Sequence, residues 1–236
     1  DIAEVGAGGG SISWIDDGGL LQIGPVSAGA DPGPACYRKG GPLTVTDCNL
    51  FLGRIDPAFF PNVFGSDGNQ TLDPHASHNR LNEIADALPH PRSLEEIAEG
   101  FLDIAVDNIA NAIRKISVAR GHDVTTYALA CFGGAGGQHA CRVADALGME
   151  TVLVHPLAGI LSAYGIGLAP VKAIREVSLV RKLGDSFAAE LADLEDQARR
   201  ALLDQGIENS EIVLESHARL RFEGSDSLLQ IDCGDV

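Results

Sequence analysis

Tyr127-Ala-Leu-Ala-Cys-Phe132 runs into Gly133-Gly-Ala-Gly-Gly137, and Gln138 to Leu147 follows with Gly148 behind it. A short apolar run bounded by glycine reads as a buried strand. The segment after the glycines reads as a helix, stopped by Gly148. Thr151-Val-Leu-Val154 is a second buried strand, and Leu157 to Gly167 a further helix. Strands alternating with helices predict an α/β fold whose sheet contains parallel pairs. At the junction, glycine lets backbone amides approach a ligand, and the helix start adds partial positive charge. Glycines that only permit a tight turn would give the same pattern.

Working outward, the strongest helix signal begins at Ser93. Ser93 and Glu96 form a capping box, Gly121 supplies the stop, and Ile97, Phe101, Ile104, Ile109, Ala112, Ile113 and Ile116 recur at helical spacing. Near the N-terminus, Ser11 to Asp16 and Leu20 to Ile23 flank Asp17-Gly18-Gly19, a hairpin signal. Trp14 alternates with Ile12 and is expected in the core. Gly24 to Pro42 is rich in Gly and Pro and reads as a long loop, Thr44 to Ile55 as a short helix, and Pro57 to Asp73 as irregular. Downstream, Phe187 to Leu202 is amphipathic and ends at Gly206. The tail alternates as a strand and turns back at Gly224-Ser-Asp226, predicting an extra C-terminal hairpin.

Thirty-three acidic against 17 basic residues give a net charge of −16 over 236 residues. Nucleic acid and anionic membrane both need a basic face, so neither is expected as a partner. The five cysteines, Cys36, Cys48, Cys131, Cys141 and Cys233, form no CxxC pair. Reduced thiols in a cytoplasmic protein fit better than zinc or a disulfide framework. Asp1 to Ser11 reads like the interior of a domain, which predicts a piece of a longer polypeptide.

Two glycine loops, Gly6-Ala-Gly-Gly-Gly-Ser11 and Gly133-Gly-Ala-Gly-Gly137, invite a nucleotide. No GxxxxGK[ST] occurs, which excludes a P-loop. A dinucleotide fingerprint fits poorly, because His139 stands where a small residue should let the helix pack. One loop inside a hairpin and another between strand and helix resembles the second lobe of the actin, sugar-kinase and heat-shock ATPase superfamily, a ribonuclease H-like sheet flanked by helices.

The resemblance then narrows. Glu4-Val-Gly-Ala-Gly-Gly-Gly-Ser-Ile12, Ser27-Ala-Gly-Ala-Asp-Pro-Gly-Pro-Ala-Cys-Tyr37, Thr44-Val-Thr-Asp-Cys-Asn49, Lys115-Ile-Ser-Val-Ala-Arg-Gly-His-Asp123 and Cys131-Phe-Gly-Gly-Ala-Gly-Gly-Gln-His-Ala-Cys141 resemble the hydantoinase A/5-oxoprolinase family. The last two point to its 5-oxoprolinase branch. The resemblance implies ATP with Mg2+, a small cyclic amide as substrate, and conversion of 5-oxo-L-proline to L-glutamate with release of ADP and phosphate. A lactam is a poor electrophile, and phosphorylating its oxygen opens the ring carbon to water. It also implies that the family's first lobe, with its Asp-Gly-Gly-Thr type loop, and its B-type region are partners supplied by the same polypeptide. Residues 1–180 are expected to form the ATPase second lobe and 181–236 the start of a further subdomain. The fragment alone is expected to be inactive, and a homo-oligomer is compatible with these features. The rival enzyme is an N-methylhydantoinase or acetone-type carboxylase subunit; the rival from another class is a nucleotide-binding module without catalysis.

The resemblance puts Gly8, Gly9, Gly10 and Ser11 on the phosphate side, and Gly133, Gly134, Ala135 and Gly136 on the adenosine side. Asp47 is the catalytic candidate, holding a metal or polarising water, against plain helix capping. Asp31 lies in a Pro/Gly loop, as a substrate contact or an Asx turn. His139 contacts nucleotide or substrate, or packs its ring. His122, His75, His78 and His90 read as surface residues, and His75 with His78 lacks a third metal ligand.

Overall fold

The computed structural model describes residues 8–233 apart from 183 and 185. Glu4, Val5, Gly6 and Ala7 of the first glycine motif therefore lie outside the described residues. The chain divides into two units, Asp1–Ile166 and Gly167–Val236. The sequence expectation drew that line at residue 180.

In the first unit, β1 (Ser11–Ile15) and β2 (Leu21–Ser27) form an antiparallel hairpin with an irregularity between Ser11 and Ser13. Asp16 builds the turn: its Oδ1 accepts from Gly18 N at 3.0 Å and Leu20 N at 2.9 Å. Ser11 and Ser13, two apart in the strand, share the buried face. Trp14 is therefore 42% exposed instead of in the core, with Nε1 donating to Gly24 O at 2.9 Å. Four helices follow: α1 (Val45–Phe51), α2 (Pro74–Ala87), α3 (Leu94–Ala119) and α4 (Ala140–Leu147). A parallel pair, β3 (Ala128–Cys131) and β4 (Thr151–Val154), brackets α4, and α5 (Leu161–Leu168) closes the unit.

The 26 residues of α3 make a spine roughly 40 Å long. Its N-terminal half, through Ile97, Ala98, Phe101, Leu102 and Ala105, packs with Ile23, Leu43, Val45, Cys48 and Leu81 from the hairpin, α1 and α2. Farther along, Val106 and Ala110 pack with Val143, Ala144, Leu147 and Met149, with Leu129 and Val152 of the parallel pair beside them. A third cluster, Cys36, Leu50, Ile55 and Leu72, pins the Pro/Gly loop to the far side of α1. Burial of this apolar surface is the main force holding the unit together. β3 and β4 are not the buried strands expected: one face packs on the α3–α4 cluster and the other is open, with Leu153 62% exposed, because the pair has no layer on that side among the described residues.

In the second unit, α6 (Ala188–Leu203) is followed by β5 (His217–Leu220) and β6 (Leu229–Asp232), the expected C-terminal antiparallel hairpin. Arg181 pairs with Glu190 and Arg219 with Glu176. Among the described residues, no helix is long and apolar enough to cross a membrane.

Candidate functional site

The first glycine loop is fastened to the start of α1. Ser11 N donates to Gly8 O at 2.9 Å, closing a tight turn, and Ala28 N donates to Gly10 O at 2.8 Å. Gly9 O accepts from both Thr46 N and Thr46 Oγ1, each at 2.9 Å. A methyl group on Gly9 would stand 2.8 Å from Thr46 Oγ1 and 3.5 Å from the Ala135 methyl. The two glycine loops therefore meet at Gly9 and Ala135, although 126 residues separate them in sequence.

The second loop leaves β3 at Gly133, whose φ of +95° a side chain would strain. Gly133 N donates to Ala158 O at 2.7 Å, and a tight turn over Gly136–Gln138 leads into α4. Gly136 lies against the Cys131 thiol, where a methyl would come within 2.8 Å of Sγ. Gly8, Gly133, Gly134 and Gly137 face open space within 4 Å. Bare backbone with room in front of it, on two loops that touch, fits a ligand with several acceptor oxygens.

His139 is the N-cap residue of α4 and makes no side-chain cap. It is buried, and desolvation, with the nearby cations Arg142 and Arg54, holds its pKa below the ordinary 6.5. Those two arginines share one carboxylate on α3: Arg54 Nη2 meets Glu99 Oε1 at 2.5 Å, and Arg142 Nη1 meets Glu99 Oε2 at 3.3 Å. Arg142 also pairs with Asp103. This lattice ties the end of α1 and the start of α4 to the same turns of α3.

Asp47 is fully buried. Its Oδ2 accepts from Ala35 N at 3.0 Å, Thr44 N at 2.9 Å and Thr44 Oγ1 at 2.8 Å. Its Oδ1 accepts from Cys36 N at 2.8 Å and Ser77 Oγ at 2.7 Å. A carboxylate offers about four lone-pair directions, and all are engaged here. Asp47 takes the helix-capping role given as the alternative: the carboxylate completes the α1 capping box and ties down the Pro/Gly loop and α2. Burial and the Asp47 charge together push the Cys36 and Cys48 thiols far up, which keeps them protonated. Asp31 stands exposed, 3.6 Å from Lys39 Nζ, and is not drawn into the loop junction.

Sequence reasoning missed Thr46, although it sits inside a quoted motif, between the two members of the capping box. It also missed Ser77 and the Arg54–Glu99–Arg142 lattice, whose members meet only through the tertiary fold. Among the described residues no group of three or more His, Cys, Asp or Glu converges.

The fold is similar to parts of two larger solved structures. The ATP-dependent caprolactamase from Pseudomonas jessenii superposes with a TM-score of 0.65 at 33% identity, over 96% of this chain and 33% of that one. A nucleotide-free acetone carboxylase superposes with a TM-score of 0.74 at 25% identity, over 97% of this chain and 33% of that one. Residues 1–175 match the hydantoinase/oxoprolinase family, and the chain belongs to it. The 5-oxoprolinase of Saccharomyces cerevisiae is 44% identical over 241 residues, covering 98% of this chain. The chain spans 19% of the length of that relative.

Proposed function

We propose that the chain is one lobe of the ATP cleft of a cytoplasmic 5-oxoprolinase, which converts 5-oxo-L-proline to L-glutamate at the expense of ATP. The observation that supports this reading is the meeting of Gly9 and Ala135, which brings the two glycine loops side by side. Gly8, Gly9, Gly10 and Ser11 line one side, and Gly133, Gly134, Ala135 and Gly136 the other. Fixed amides are the donors that phosphoryl transfer uses to stabilise charge on the moving group. Mg2+ would enter with the nucleotide, and further ligands for it would come from the first lobe of the same polypeptide. Asp47 acts at a distance, by fixing the segment that holds Gly9. The free thiols suit a reducing compartment. The oxoprolinase relative supports the substrate; the caprolactamase and the acetone carboxylase support a second reading, in which the activated group is a different amide or a ketone.

The test is to incubate the full-length polypeptide with ATP, Mg2+ and 5-oxo-L-proline, and to quantify ADP and glutamate. Equal release of both is expected. ADP stimulated by hydantoin or caprolactam but not by 5-oxoproline would move the chain to the second reading. No nucleotide turnover with any of these substrates would leave a binding module.

A further inference from the structure

Native proteins bury few polar side chains without a partner, and each one calls for a reason. Among the described residues, the buried side-chain atoms with no protein partner are Ser13 Oγ, both amide atoms of Asn49, and both ring nitrogens of His139. Ser13 Oγ lies by the Cys48 thiol, inside the core. His139 is placed differently. It is 4% exposed and sits at the N-terminus of α4. The loop that precedes it carries three of the glycines facing open space, together with Ala135, which touches the other loop.

The charges of Arg54, Arg142, Glu99 and Asp103 balance here, so the pull on an anion comes from the helix start and from the unpartnered ring. The helix start contributes partial positive charge. Arg142 on α4 and Arg54 after α1 are the cations that act on the ring, while Glu99 and Asp103 of α3 pair with those guanidiniums. An uncharged imidazole in such a place offers an arriving polyanion one donor, and a second if it takes up a proton. We propose that His139 is the contact residue for the polyphosphate of the nucleotide, taking a proton from solvent as the anion docks against the start of α4. This rests on the nucleotide reading above and brings the polyphosphate to both loops, at the point where Gly9 meets Ala135.

The sign follows from linkage. Burial and the arginines keep the free imidazole uncharged near neutral pH, and a bound polyanion raises its affinity for protons. Binding therefore takes up protons between the free and the bound pKa, and takes up none well above both. The experiment is calorimetry of ADP and of ATP binding to the full-length polypeptide, in buffers of different ionisation enthalpy, for wild type, His139→Gln and His139→Asn. Melting curves show that each variant has folded. At about pH 6 the wild type is expected to take up as much as about one proton more per nucleotide than either variant, and to bind about tenfold tighter. The difference should close by about pH 8, and adenosine should show none. Equal uptake in wild type and variants overturns the proposal and leaves His139 a packed or hydrated ring. Nucleotide binding by the wild type with a flat pH profile of uptake overturns it without needing a variant. Absence of nucleotide binding altogether sinks the functional reading itself, a separate and recognisable outcome.

Discussion

Asp47 shows how far one buried carboxylate can organise a fold. Its five donors come from residues 35, 36, 44 and 77, so one side chain joins a loop, a helix cap and the next helix. Part of this was legible. Thr44 and Asp47 stand three apart before an apolar run, and that spacing predicts reciprocal capping. The partners at Ala35, Cys36 and Ser77 follow from no local spacing, because long-range packing brings them in. Asp47→Asn keeps the shape but turns an acceptor into a donor that faces donors. We expect a loss of about 3 kcal/mol in urea unfolding, the scale for breaking a buried charged network. A variant as stable as wild type would show that the five bonds contribute little. His139 was legible as a residue near the second loop, but its burial and lack of partners were not, since both depend on how α3 and the end of α1 close over it.

Among the elements, those with strong local signals appear where the sequence puts them. α3 has a full capping box and a continuous apolar stripe, and β3, α4 and β4 are bounded by glycines. No element was expected between Asp73 and Ser93, where α2 stands. Its start is nonetheless written in the sequence: Asp73 caps His75 N at 3.0 Å, with Pro74 in the first turn. Trp14 was misplaced because the buried face of β1 belongs to the small polar Ser11 and Ser13, which leaves the alternate positions Ile12 and Trp14 on the more open face. Two neighbours in the first glycine loop make a contrast that can be tested. Gly9→Ala drives a methyl into Thr46 Oγ1, at an expected cost of about 1–3 kcal/mol. Gly8→Ala meets nothing within 4 Å, so thermal stability should hold while nucleotide affinity in the full-length polypeptide falls. Equal effects of the two substitutions on stability would refute the packing of Gly9 against α1.

At the scale of the whole molecule, the second unit begins at Gly167, and the described residues between α5 and α6 form no helix or strand. Lys172 and Arg175 lie there, exposed. Chain that is exposed and free of regular structure is cut first. Brief trypsin treatment should therefore cleave after Lys172 and Arg175 before any site within residues 45–119, as read by mass spectrometry of early fragments. Early cuts inside α3 would mean that the spine is not the stable part. That spine has a consequence for binding. One unbroken helix carries the supports of both glycine loops, so the contact between Gly9 and Ala135 is set by the fold before any guest arrives. On the proposed function, a nucleotide would meet walls already in place and spend little on ordering them.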